Sequence, residues 1–284
     1  MIKNWASLNF LQLYRITPHN NKASSLRPLG YFLFGYGLTW KGETLGQFTL
    51  YAISLVGVLA FIYFLNDYYD WKLNQESNTL LDNLQSKPSS KNYLIYLLLP
   101  LLVFGVSTSL SLVIYSITPS AILITIILLL ATIYSLPPIR LKEIRGGFLT
   151  TVAIAVLLFF SGVLIEGTIT APVLALAVII FIYQIYLEFL HLLQDSLDPT
   201  ETRRWNQEKL VRYIWLAPLI SLLVSIALAI LLTPVFFITA LFALIRIREA
   251  YNIKPERVYQ KRNNLFSPLL SLYEFPLYLV YFQL

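Results

Sequence analysis

The feature that most constrains this chain is a series of nine apolar runs separated by short polar stretches. Only 13% of the residues are charged and 57% are hydrophobic, whereas soluble domains carry about 25% charged residues. A helix needs about 20 apolar residues to cross a bilayer, so the runs predict an all-α integral membrane protein. The runs lie at roughly 25–40, 45–65, 92–117, 119–135, 148–165, 171–194, 211–232, 234–248 and 265–282.

The distribution of Lys and Arg indicates how many of these runs cross the membrane. By length alone about seven to nine runs qualify, because the first and the eighth are short. If all nine cross and the N-terminus is inside, every Lys and Arg except Lys41 lies on one side, as expected of cytoplasmic loops. We therefore predict a cytoplasmic N-terminal segment over 1–24 and a domain of nine transmembrane helices over 25–284.

Composition also excludes several kinds of site. The chain has no Cys, which excludes disulfides, thiolate metal sites and cysteine nucleophiles. Its two His residues, His19 and His191, are too few for a multi-histidine metal centre. In a membrane protein the distribution of charge matters more than the net charge of +6, and we predict the lipid bilayer, and no nucleic acid, as a partner.

A polar stretch, Asn66 to Asn74, follows the second apolar run directly. Its Asp67, Asp70 and Asn74 are spaced by three and four residues, so they share one face if the stretch is helical. Two carboxylates on one face at a membrane boundary are costly to leave unpaired. A divalent cation would neutralise them and could also bind a phosphate group. The alternative is a solvated helix end without a ligand.

The end of the sixth run repeats this pattern. Asp195 and Asp198 have the same spacing as the first acidic pair, and each pair precedes a basic loop and two runs joined by a Thr-Pro turn. Each of these hairpins ends in a similar signature, at Ile139 to Glu143 and at Ile245 to Glu249. The matched order suggests duplication of a four-helix unit, which would bring both acidic pairs around one central cavity.

The sixth run also carries a polar stripe, with steps of three and four residues between its members. Ionisable residues within a membrane span usually face a cavity or the bundle interior and mark function. A structural stripe of hydrogen bonds between helices is the alternative. His191 in particular is also interpreted as a hydrogen-bonding partner of a neighbouring acid. The stripe comprises Gln184, Glu188, His191, Asp195 and Asp198.

Two acidic clusters and several basic residues on one face are suited to a diphosphate ester. Mg²⁺ prefers oxygen ligands and bridges carboxylates to phosphate oxygens. Lys and Arg then neutralise the remaining charge of the departing group. For an allylic diphosphate, this stabilisation allows the carbon–oxygen bond to ionise, and an apolar, aromatic interior shelters the resulting cation. Such catalysis by placed charges needs no covalent nucleophile.

At this point the sequence resembles a known family. Asn66-Asp67-x-x-Asp70, at the end of the second run, is similar to the first aspartate-rich motif of the UbiA family of intramembrane prenyltransferases. The segment from Tyr134 to Lys142 resembles that family's tyrosine, proline-pair, arginine and lysine segment, and Arg27-Pro28 is a weaker match. His191 to Asp198 occupies the place of the second motif. The resemblance implies nine transmembrane helices in two pseudo-repeated four-helix bundles plus one helix, around a central cavity near the cytoplasmic face.

The resemblance also implies roles for ten residues in Mg²⁺-dependent transfer of an isoprenoid group. Asp67 and Asp70 would bind one Mg²⁺, with Asp195 and Asp198 forming a second site or joining the same one. Arg140 and Lys142 would bind the diphosphate, while Asn66 and Asn74 would supply hydrogen bonds or weaker ligation. Tyr134 and His191 would orient the acceptor or the cation.

Departures from the family's pattern concern the substrate more than the fold. Asn74 replaces the usual third acid of the first motif, which then suits one Mg²⁺ at most. Asp195 and Asp198 are three residues apart rather than four. We therefore predict an enzyme that transfers an isoprenoid group from its diphosphate to an aromatic or other small acceptor and releases pyrophosphate. The alternatives are a non-catalytic lipid-diphosphate binding or transport protein, and family variants that act on polyprenyl phosphate or cyclise a terpene.

Overall fold

The structure, a computed structural model, describes residues 14, 28–42, 44–74, 81–82, 92–116, 118–144, 146–197, 206–253 and 274–281. Within these residues the chain is helical and contains no strand, as the apolar runs predict. Two short 3₁₀ helices lie at Leu141–Glu143 and Pro234–Phe236. The α-helices are α1 (Leu29–Thr39), α2 (Leu45–Asn74), α3 (Asn92–Tyr115), α4 (Pro119–Ser135), α5 (Phe148–Val163), α6 (Ala171–Leu197), α7 (Gln207–Leu231), α8 (Phe237–Tyr251) and the helical residues 274–281, named α9.

Each predicted apolar run thus contains a helix within the described part of the chain. Four of these helices are long and apolar enough to cross a membrane, whereas Pro119–Ser135 and Phe148–Val163 are shorter apolar helices. The chain is therefore an integral membrane protein, and the crossing of all nine runs stays a prediction. The four long segments are Leu45–Leu73, Ile95–Tyr115, Ala171–Ser196 and Gln207–Leu231.

Both predicted Thr-Pro turns are present and have the same local structure. Thr118 and Thr233 have extended backbone angles, and the proline that follows each opens the next helical segment. Proline suits this position because its fixed φ is helical and its missing N–H would have had no partner in the first turn. A Thr-Pro pair between two apolar runs therefore produces a tight connection.

The chain divides into two compact units. Unit 1 comprises Met1–Thr150 and Leu157–Gly167, and unit 2 comprises Thr151–Val156 and Thr168–Leu284. In unit 1, α2 packs against α3 and α4, and in unit 2, α7 packs against α6 and α8. The predicted boundary at residue 25, the duplication and the central cavity stay predictions. Of the predicted N-terminal segment only Tyr14 is described; it is buried, and its hydroxyl donates to the Tyr96 carbonyl at 2.8 Å.

Within unit 1, α1 and the second half of α5 approach each other closely through glycine. A Cβ atom at Gly35 would collide with the carbonyl oxygen of Phe159, and one at Gly162 would collide with that of Phe32. Small residues permit this approach between membrane helices, where dispersion and backbone contacts replace the hydrophobic effect as the driving force. The two glycines thus determine how tightly α1 packs against α5.

We expect Gly35→Ala to lower the stability of the protein in detergent by roughly 1–3 kcal/mol, because the added methyl group overpacks a backbone contact. Gly30→Ala, on the same helix, is the matched control, since nothing lies within 4 Å of a Cβ atom there. Thermal unfolding of the purified variants measures both effects. An equal, small effect of the two substitutions would contradict the close helix contact.

A carboxylate links the α5–α6 connection to the start of α2 in unit 1. Glu166 accepts hydrogen bonds from the backbone N–H groups of Lys41 and Thr44, from the Thr44 hydroxyl and from the Tyr36 hydroxyl. Burial by itself raises the pKa of Glu166, but the hydrogen bonds from Thr44, Lys41 and Tyr36 outweigh it and lower the pKa. Its negative charge also lies near the positive end of the α2 dipole.

Because the pKa of Glu166 is lower in the folded state, its ionisation stabilises the fold above the unfolded pKa, and this stability is lost as pH falls through the folded pKa. We expect the wild type to be more stable than Glu166→Gln at neutral pH. The difference should shrink on acidification below the ordinary Glu range, about 4. Thermal unfolding of both proteins across this range tests it, and a difference that stays constant with pH would refute the assignment.

Candidate functional site

The first acidic motif lies in the last turns of α2. This helix does not stop where its apolar run ends but continues to Asn74, so Asp67 and Asp70 lie about one turn apart on the same face. Both are buried, with only 7% and 6% of their surface exposed. The predicted helical spacing is therefore confirmed for this pair, whereas the side chain of Asn74 lies outside the described residues.

The basic residues reach this motif through the connection after α4. The helix ends at Ser135, and the chain passes through a cis Pro137–Pro138 bond to Arg140, whose φ of 38° lies in the left-handed region. A left-handed conformation is uncommon for a residue with a side chain, and such residues cluster at functional sites. The 3₁₀ helix that follows carries Lys142.

Four side chains from these two segments form what we name the Asp70 cluster: Asn66, Asp70, Arg140 and Lys142. Asp70 Oδ1 accepts a hydrogen bond from Arg140 Nη2 at 2.7 Å and another from Lys142 Nζ. Asp70 Oδ2 accepts from Asn66 Nδ2 at 2.9 Å, and Lys142 Nζ also donates to Asn66 Oδ1 at 3.0 Å. The structure thus brings together four of the ten predicted site residues.

Two further residues border the cluster. Ser135, which the sequence did not single out, donates to Asn66 Oδ1 at 3.4 Å. Glu143 forms an ion pair with the other terminal nitrogen of Arg140, but about half of its side chain is exposed.

Tyr134, predicted to orient a ligand, is half-buried in the last turn of α4. Its role stays a prediction.

The oxygen atoms of Asn66, Asp67 and Asp70 are suitable for Mg²⁺, but they do not form a complete protein cage. Within the described ranges there is no group of three or more Asp, Glu or His side chains that could hold a metal ion. Mg²⁺ commonly binds through one or two carboxylates and completes its shell with water and phosphate oxygens. The residues at the end of α2 therefore fit a Mg²⁺ ion that shares its ligands with a bound phosphate.

In unit 2, α6 carries the predicted polar stripe as far as Leu197. The buried Glu188 accepts a hydrogen bond from Gln184 Nε2 at 2.9 Å and another from Thr151. Nearer the helix end, His191 Nδ1 lies 3.5 Å from Asp195 Oδ1, and more than half of the His191 side chain is exposed. His191 thus contacts a neighbouring acid, as the alternative interpretation predicted. Asp198 lies outside the described residues.

Unit 2 contains another buried ion pair, which the sequence analysis did not predict. Arg246, which matches Arg140 in the repeated signature, donates to Glu274 at 2.6 Å, and Thr239 donates to the other Glu274 oxygen at 2.7 Å. The Arg246 guanidinium also lies 4.6 Å from the centre of the Tyr183 ring. The signal in the sequence was Glu274 itself, an acid within the ninth apolar run. An unpaired charge there is costly, so a basic partner inside the protein could have been predicted.

We expect Arg140→Met to destabilise the protein by roughly 1.5–3 kcal/mol, because it removes a buried charge-assisted hydrogen bond of Asp70, which keeps Lys142 as its other cationic partner. Glu143→Gln, which also alters a contact of Arg140, should change stability by less than about 1 kcal/mol, since that pair is solvent-exposed. Chemical unfolding in detergent gives both values. Similar effects of the two substitutions would argue against a buried Asp70–Arg140 pair.

Comparison with known proteins relates this architecture to solved structures. No family model and no curated protein matches the sequence. The structure of a UbiA homologue from Archaeoglobus fulgidus bound to GPP and Mg²⁺ matches with a TM-score of 0.66 and 14% identity, over 97% of this chain and 99% of that one. The structure of such a homologue with DMAPP and Mg²⁺ matches at 0.62 and 16%, over 95% and 98%.

A further structure of a UbiA homologue from Archaeoglobus fulgidus, bound to Cd²⁺, matches with a TM-score of 0.65 and 14% identity, over 97% of this chain and 99% of that one. At such low identity the likeness concerns the fold. It extends over nearly the whole length of both chains. The resemblance to the UbiA family that the motifs indicate is thereby confirmed at the level of the fold: this integral membrane protein has the fold of the UbiA homologues.

Proposed function

We propose that this protein is a Mg²⁺-dependent prenyltransferase, which moves an isoprenoid group from its diphosphate to a small acceptor within the membrane and releases pyrophosphate. The observation that carries the proposal is the Asp70 cluster, where Arg140 and Lys142 converge on a buried carboxylate next to Asp67. The fold supports it as well, because structures with this fold are bound to GPP or DMAPP together with Mg²⁺.

In this proposal Asp67 and Asp70 bind Mg²⁺, with Asn66 and Asn74 as weaker ligands or hydrogen-bond partners. The bound ion would neutralise negative charge on the diphosphate. Arg140 and Lys142 bind the same diphosphate from the other side, since Arg can contact two oxygens at once and Lys acts as a compact charge. The two basic residues are mostly buried, so their charge is only weakly screened by water.

The reaction follows from these charges. The bond between the allylic carbon and the diphosphate oxygen breaks, and its electron pair stays on the diphosphate, which Arg140 and Lys142 stabilise. The carbocation that remains forms a bond with the acceptor, which then loses a proton. A covalent enzyme intermediate is not needed. The apolar helices exclude water, which would otherwise capture the cation.

In unit 2 we assign a role in the reaction to the second acidic motif but not to the basic residue Arg246. We propose that Asp195 and Asp198 bind a metal ion, and that His191, which contacts Asp195, orients the acceptor or the cation. The same kind of role is proposed for Tyr134. Arg246 is not proposed as a diphosphate ligand, because Glu274 already pairs with it in a buried contact. The charge distribution of the loops favours a cytoplasmic position for both motifs.

A second candidate is a protein that binds a lipid diphosphate without transferring its prenyl group. Asn74, which stands where the first motif of the UbiA family usually has a third acid, favours it. Purified protein with Mg²⁺ and a radiolabelled isoprenoid diphosphate separates the two candidates. Release of pyrophosphate supports the enzyme, and tight binding without release, at any chain length or with any acceptor, supports the second candidate.

If the metal-binding roles are right, Asp67→Asn and Asp195→Asn should each abolish pyrophosphate release, because each removes a negative ligand of the ion. Asp82→Asn is the matched control, since Asp82 accepts a hydrogen bond from the Trp71 indole at an exposed position near the motif. It should keep near-normal activity. All three variants should remain in the membrane fraction, and near-normal turnover of Asp67→Asn or Asp195→Asn would show that the metal site is misplaced.

A further inference from the structure

We propose that Asp70 is an internal competitor of the diphosphate for Arg140 and Lys142, which makes this site selective for diphosphate that arrives with a divalent cation. The inference rests on the proposed function, in which these two basic residues bind the diphosphate. It adds that Arg140 and Lys142 already pair with Asp70, and that a cation is needed to release them.

The hydrogen bonds of the Asp70 cluster carry this inference. One oxygen, Asp70 Oδ1, accepts hydrogen bonds from both Arg140 Nη2 and Lys142 Nζ. A phosphate oxygen would accept hydrogen bonds from these two donors in the same way. All three side chains are at least 85% buried, so water competes little for the contacts and they are strong. An incoming phosphate oxygen must therefore displace Asp70 Oδ1.

The formal charges of the surrounding groups give the direction of the effect. Asp67 and Asp70 carry two negative charges, which balance the two positive charges of Arg140 and Lys142. Glu143 is about half exposed, so water screens its charge and it contributes little. A bare diphosphate thus meets a group of side chains with no net positive charge to attract it. A divalent cation bound by Asp67 and Asp70 would raise this net charge to plus two and would weaken the hold of Asp70 on its basic partners.

Asp70 still has room to bind such a cation. Its Oδ2 atom accepts the amide of Asn66 and no other donor of the described residues, while a carboxylate oxygen offers about two acceptor positions. A cation can therefore first contact Oδ2 while Oδ1 still holds Arg140 and Lys142. Asp70 would then pair with the cation through Oδ2, and Oδ1 would release Arg140 and Lys142 to the diphosphate.

Calorimetric titration of the purified full chain in detergent with inorganic diphosphate tests the proposal, once with EDTA and once with Mg²⁺. The wild type should bind diphosphate weakly in EDTA and much more tightly in Mg²⁺. Asp70→Asn should tighten binding in EDTA by about tenfold, on the scale of one charge-assisted hydrogen bond. The gain from Mg²⁺ should become smaller in this variant. Unchanged or weaker binding in EDTA would overturn the proposal.

Two further variants complete the test, one as a matched control and one with the opposite expected effect. Glu143→Gln removes a carboxylate that contacts Arg140 at an exposed position, and it should leave binding in EDTA nearly unchanged because water screens that charge. Asn66→Asp adds a carboxylate next to Lys142, and it should weaken binding in EDTA while increasing the gain from Mg²⁺. If Glu143→Gln matched Asp70→Asn, the effect would be general charge repulsion and the specific role of Asp70 would be wrong.

A failure of the proposed function has a different signature. If the wild type does not bind diphosphate even with Mg²⁺, or if Arg140→Gln combined with Lys142→Gln binds it normally, the diphosphate site itself is wrong and both proposals fall. If binding needs Mg²⁺ and both basic residues but Asp70→Asn does not tighten it in EDTA, the competitor role alone is refuted. Retained size-exclusion profiles and melting temperatures identify the variants that are folded.

Discussion

Every buried charge in this protein needs a partner within the chain, because apolar helices in a bilayer offer no water to solvate it. Asp70 is paired with Arg140 and Lys142, and Glu274 is paired with Arg246. Leaving such a charge alone would cost roughly 3–5 kcal/mol, a large part of the stability of a domain. The need for pairing therefore decides which polar side chains these helices can carry and where they must meet.

The two buried ion pairs have different surroundings, and we assign them different roles for that reason. Glu274 has both oxygens engaged, by Arg246 and by Thr239, and is almost completely buried. Asp70 instead lies at the end of a long helix, next to a second carboxylate and beside exposed residues such as Lys72. The Glu274 pair is suited to holding helices together, whereas the Asp70 pair is the one for which we propose exchange with a charged ligand.

Helix positions and the first acidic motif were predictable from local patterns. Hydropathy placed α4 at 119–135, and the structure has Pro119–Ser135. The spacing of Asp67 and Asp70 correctly indicated one helix face, because helical periodicity depends only on neighbours in the chain. Hydropathy alone ended the second run at residue 65, whereas α2 continues to Asn74, since polar residues can extend a helix beyond the apolar segment.

By itself, the sequence determined an all-helical membrane protein with acidic residues at the ends of two helices and basic residues in the loops. It did so because membrane insertion and helix formation depend on the composition of contiguous segments. Only the tertiary structure decided that Arg140 pairs with Asp70, 70 residues away, and that the matching Arg246 is bound by Glu274 instead. Ion pairing depends on distance in space and on burial, and the local pattern of the chain encodes neither.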